Sequence, residues 1–113
     1  MKIYKAFANE KLIADKIAPA DTFLTRLNGL TTRKSLYDGE GLLLKSCSSI
    51  HCFFMHFTID AVYLDKDMRV IAKESVRPWR IGGFFKGARQ VLELKEDAAD
   101  IINIGDEITI KEI

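Results

Sequence analysis

Apolar, β-branched and aromatic residues recur along the chain in short runs separated by polar turn signals. The runs are KIYKAF (2–7), KLIADKI (11–17), GLLLK (41–45), HCFFMHF (51–57), IDAVYLD (59–65), RVIAKESV (69–76), ARQVLEL (88–94) and DEITIKEI (106–113). Their spacing predicts antiparallel strands with short connections. Tyr63 to Val70 reads as a hairpin, with DKDM (65–68) as its turn. Two segments depart from this rhythm. APADTFLTRLNGL (18–30) offers Asp21 as an N-cap, apolar Phe23, Leu24 and Leu27, and Gly29 as a stop, which predicts a helix near 20–29. KEDAADIINIG (95–105) opens acidic, places Ala98, Ile101 and Ile102 on one face and ends at Gly105, which predicts a second helix near 96–104. Helical crossovers are too few for a parallel α/β fold. The expected fold is mostly β: a compact antiparallel β-sandwich or barrel-like single domain, residues 1–113, with two short helices.

Size supports one domain, because 113 residues split into two would leave cores too small to hold. An apolar content of 48% is enough for a core. Lys plus Arg number 17 against 16 Asp plus Glu, yet the balance is uneven along the chain. Residues 69–92 carry six cations against Glu74 alone, and residues 93–113 carry two lysines against seven acids. If the fold keeps these segments apart, it has a basic and an acidic patch. The first twelve residues, MKIYKAFANEKL, have no apolar stretch of the kind an export signal needs. The longest run free of charged residues, Ser46 to Ile59, is 14 residues, too short for a spanning helix. Two cysteines without an export signal are expected to be reduced thiols. These features predict a soluble cytoplasmic domain with no membrane contact.

Candidate chemistry concentrates between Cys47 and His56, which hold two cysteines, two histidines and Met55. On a helix, Cys47/His51 and Cys52/His56 would be neighbours about 6 Å apart. On a strand the same spacing of four separates them by roughly 13 Å, too far to share an ion. The run HCFFMHF followed by TIDAVYL is rich in β-formers and has no helix cap, so the extended reading is preferred. It predicts no metal and no cofactor, with the cysteines as small buried hydrophobes. A turn at SCSS would instead bring Cys47 to His51 as a thiolate–imidazole pair, oriented by Asp60.

Asp60 shares a face with Val62 and Leu64, and Glu93 is embedded in VLEL. A carboxylate in such a position needs a partner. Asp60 is therefore expected to be buried and paired with Arg26, His51, Arg89 or backbone amides. The pair of embedded acids also suits acid–base chemistry. The loop RPWRIGGFFKGARQ (77–90) interleaves Arg77, Arg80, Lys86 and Arg89 with Trp79, Phe84 and Phe85, and has three glycines. Cations among aromatics suit an anionic ligand or single-stranded nucleic acid; the alternative is a β-connection whose aromatics cap the core.

RLNGL (26–30), GEGLLLKSCSSIHCFFMHFTIDAVYLDKDMRVI (39–71), RPWR (77–80), VLEL (91–94) and IGDEI (104–108) occur in this order. Together they resemble the family of uncharacterised conserved proteins called domain of unknown function 192. The resemblance covers roughly residues 13 to 110 and implies a compact, mostly β sandwich or barrel-like fold, with no reaction or cofactor attached. Arg26, His51, Asp60 and Glu93 match its motif, as do Met55 and Pro78. Cys52 stands where relatives commonly carry Thr, and His56 where a basic residue is common. The segment LKEDA lacks the glycine turn often found after Leu-Glu-Leu.

Three readings of function follow. The preferred one is a non-enzymatic domain that binds a small anionic or polyhydroxyl ligand in a cleft of Arg26, His51, Asp60, Arg77, Trp79, Arg80, Lys86 and Glu93. The second is a hydrolase-like enzyme using Cys47, His51 and Asp60. The third is an RNA or protein interaction module built on loop 77–90, although a nearly neutral chain speaks against a dedicated nucleic-acid binder.

Overall fold

In the computed structural model, residues 2–19, 36–45, 57–78 and 82–113 are described. Seven strands form one sheet: β1 (Tyr4–Ala8), β2 (Lys11–Pro19), β3 (Glu40–Lys45), β4 (Ile59–Leu64), β5 (Val70–Val76), β6 (Gln90–Lys95) and β7 (Ile108–Glu112). Their order across the sheet is β5-β4-β6-β3-β2-β1-β7. Every pairing is antiparallel except β2 with β3, which run parallel. The expected β-architecture is therefore present. The anticipated helix near 20–29, and all of the strand 51–57 but Phe57, lie outside the described residues.

Turn chemistry sets the hairpins. Asn9 and Glu10 both have positive φ (48° and 75°), giving the two-residue turn whose twist matches its flanking strands. In the β4–β5 turn, the Asp65 carboxylate accepts the backbone N–H of Asp67 and of Arg69 at 2.8 and 3.0 Å. This is the hairpin read at DKDM.

The sheet curls until its outermost strands meet at one corner. Arg69 and Glu107 form an isolated antiparallel bridge there. Val70 N–H donates to the Asp106 carbonyl at 2.9 Å, and Ile108 N–H to that of Met68 at 2.8 Å. The result is a half-barrel closed at that corner, with two apolar faces. The inner face gathers Ile17, Leu43, Val62, Leu64, Leu92 and Ile108. The outer face of β3, β6, β4 and β5 carries Leu42, Leu44, Ile59, Tyr63, Val76 and Val91, covered in part by Leu36 and Phe57. All six residues of β4 are buried, because it lies between β5 and β6 and its side chains enter both apolar clusters.

The predicted helix over 96–104 is instead one 3-10 turn, Ala98–Ile101. Asp97 sits at φ 73°, which stops a helix from propagating through it. The Ala99 N–H is taken by Asp60 rather than by a carbonyl one turn back.

Candidate functional site

Alternation along β6 puts Val91 and Glu93 on the outer face and Leu92 and Leu94 inside. Cross-strand register then aligns Leu42, Glu93, Ala61 and Glu74 in one row across β3, β6, β4 and β5. Ala61 contributes only a methyl group between the two glutamates, whose Cα atoms are two strand spacings apart, about 10 Å. Glu93 is 2% exposed. No described residue donates to its carboxyl group, and burial pushes it up from the usual 4.5 to about 7. Glu74 is held firmly. Its Oε2 accepts the Tyr63 hydroxyl at 2.5 Å and the Gly83 N–H at 2.7 Å.

The loop after β5 builds one wall of this site. Phe85 packs on Tyr63, with ring centroids 4.5 Å apart and planes tilted by 50°. Gly83 lies so close to that ring that a Cβ there would sit 2.9 Å from it. Phe84 is 76% exposed, and Arg77, Lys86 and Arg89 are also exposed. Phe85 thus packs on the outer face of the sheet, as the alternative reading of this loop, aromatics capping the core, expects. Trp79 and Arg80 lie outside the described residues, as do Arg26, Cys47, His51, Cys52, Met55 and His56.

Asp60 does not join this site. It points to the inner face, where Ser75 Oγ donates to Oδ1 and the Ala99 N–H donates to Oδ2, both at 3.0 Å. It is 4% exposed, buried and partnered as anticipated, and a backbone amide is one of the partners. Lys73, on the same face, donates to the Ala99 carbonyl at 2.9 Å. Asp60 therefore anchors the 3-10 turn against β4 and β5. A single cleft holding both Asp60 and Glu93 is corrected by the register: Asp60 pairs with Leu94 and Ala61 with Glu93, so the two acids face opposite ways.

Glu74 and Tyr63 were missed in the sequence. The signal was present, since period two in VIAKESV places Glu74 between Ala72 and Val76, both buried. Among the described residues no group of three His, Cys, Asp or Glu side chains could hold a metal ion, and no helix is long and apolar enough to cross a membrane.

The family model DUF192, described as an uncharacterized ACR, matches residues 5–110. A UPF0127 protein of Thermococcus sibiricus is 34% identical over 104 residues, covering 87% of this chain and 68% of that protein. A UPF0127 protein of Pyrococcus horikoshii is 36% identical over 77 residues, 66% of this chain and 67% of that one. A third, from Thermococcus kodakarensis, is 34% identical over 82 residues, and the match spans about half of its length, 52%. The crystal structure of a protein of unknown function from Novosphingobium aromaticivorans superposes with a TM-score of 0.71 at 17% identity, covering 94% of this chain and 82% of that one. At that identity the likeness concerns the fold alone.

Proposed function

The chain belongs to the DUF192 family, which brings no reaction with it, and from the site itself we propose a non-enzymatic domain that binds a small polyhydroxyl ligand on the outer face, at Glu93 and Glu74. The observation that carries this reading is Glu93: a fully buried carboxyl group in an apolar strand, with no donor among the described residues. An unmatched buried acid is costly, and a ligand that donates hydrogen bonds to it would offset that cost. Hydroxyl groups are such donors. Ala61 puts only a methyl group between the two glutamates, and Tyr63 with Phe85 supplies an aromatic flank. Two acids on one row of the outer face disfavour an anion at this spot, so the polyhydroxyl arm of the expectation is the one retained. Exposed Arg77 and Lys86 lie on the loop that forms the wall, where a charged substituent of the ligand would meet them. The hydrolase-like reading has less support, because both oxygens of Asp60 already hold donors.

The test is a screen of sugars, polyols and sugar acids, read by the emission of Trp79, the single tryptophan of the chain, and by backbone amide shifts. A hydroxyl donates more strongly to the ionised acid. Affinity should therefore rise as pH climbs through about 7, and Glu93→Gln should weaken binding and remove that dependence. A screen in which no polyhydroxyl compound moves either signal would overturn the proposal. So would binding that Glu93→Gln leaves intact at every pH.

A further inference from the structure

We propose that the half-barrel holds a second ligand site on its inner face, shaped for a small amphipathic carboxylate with its acid group at the mouth. The site is a cavity of about 240 Å³ between the ends of β2 and β3 and the start of β6. That is the space of roughly eight water molecules, enough for a short acyl chain or a single ring. Its floor is Ile17 and Leu43, and Tyr4 and Ile110 stand at the side. Mouths of β-barrels are recurrent places for such ligands.

The gradient from floor to rim defines the ligand. Along the inner face of β3, Leu43 is followed two residues later by Lys45, and along β6 Leu92 is preceded by Gln90. Lys45 and Gln90 are direct cross-strand partners, so an ammonium and an amide stand side by side above an apolar interior. Lys45 is exposed and has no ion pair among the described residues. Gln90 Nε2 donates to Met68 Sδ at 3.0 Å. A thioether is a weak acceptor, and a carboxylate offered at the same place is a far better one. Two donors, one charged and one poorly satisfied, thus converge on a mouth whose described interior is mostly apolar. An uncharged polar molecule would gain no charge pairing from Lys45, and a polyhydroxyl one would strand its hydroxyls against Ile17 and Leu43. The site lies on the face opposite Glu93 and stands or falls independently of the outer-face reading.

Calorimetric titration with butanoate, hexanoate, octanoate and hexanol tests the assignment. Affinity should increase from butanoate to hexanoate, and hexanoate should bind more tightly than hexanol. Because charge-assisted hydrogen bonds are about twice as strong as neutral ones, Lys45→Gln should weaken hexanoate by about tenfold and leave hexanol unchanged. Ile110→Trp, which fills the cavity from the side, should abolish binding of all four. Should that variant fold poorly, the methyl resonances of Ile17, Leu43 and Ile110 in the unaltered protein locate the ligand instead. The proposal is overturned if no carboxylate binds at millimolar concentration. It is equally overturned if hexanol matches hexanoate, or if the shifts fall outside the barrel mouth.

Discussion

Asp60 and Glu93 carry the same signature, a carboxylate inside an apolar strand, and meet opposite fates. Asp60 has two donors, whereas Glu93 has none among the described residues. The difference is measurable as a function of pH. Glu93 holds its proton more tightly folded than unfolded, so its contribution to stability is fully present below about pH 4.5 and is lost as pH rises through about 7. The whole change is worth about 3 kcal/mol. Urea unfolding at pH 5 and pH 8 should show Glu93→Gln more stable than the parent at the higher pH and nearly level with it at the lower. Equal decline in both proteins would place the pH dependence elsewhere. Asp60→Ala should act in the other direction, destabilising by about 2–3 kcal/mol, because it leaves the buried Ala99 N–H without an acceptor. An unchanged urea midpoint would contradict that role. Both residues were conspicuous in the sequence. Their separation onto opposite faces was not, because it depends on the register between β4 and β6, strands that are neighbours in space but not in the chain.

At the level of elements, hairpins were legible because their signals are local. Asp65 and its turn were readable from four residues, and period two identified the strands on either side. The 95–105 segment misled because its apolar spacing suits a helix, while the decisive facts, the left-handed Asp97 and the capture of Ala99 by a side chain 39 positions earlier, are not local. The parallel pairing of β2 with β3 is of the same kind. Gly41 fits β3 between both neighbours, since a Cβ there would lie 2.5 Å from the Glu93 carbonyl oxygen of β6 and 2.8 Å from Ile17 Cδ1 of β2. Backbone on one side and a core side chain on the other leave no room to yield. Gly41→Ala should therefore cost about 2–3 kcal/mol, as overpacked sites do, and lower the thermal midpoint by several degrees. A midpoint unchanged within error would mean that β3 can shift against its neighbours.

For the whole molecule, the sequence suggested segregated charge, and the fold undoes part of it. Basic residues 69–92 and acidic residues 93–113 are brought together at the closing corner, where Arg69 lies 3.6 Å from Glu107. Both side chains are about half exposed, so the contact contributes little energy on its own. The order of strands has a larger effect, which concerns how the chain reaches this state. β7 is the last of the seven strands to be synthesised, yet it pairs with β1, from Tyr4 opposite Glu112 to Ala8 opposite Ile108. Until β7 emerges, β1 has a partner on one side only and presents a row of free N–H and C=O groups to any other chain nearby. Such open edges recruit neighbours. A chain ending at Asn103 should accordingly scatter more light with rising concentration than the chain that includes β7, and a monomeric, folded product would refute the idea. Because β1 waits for β7, the edge it offers stays open while β2 to β6 are made, and β7 is the strand that covers it.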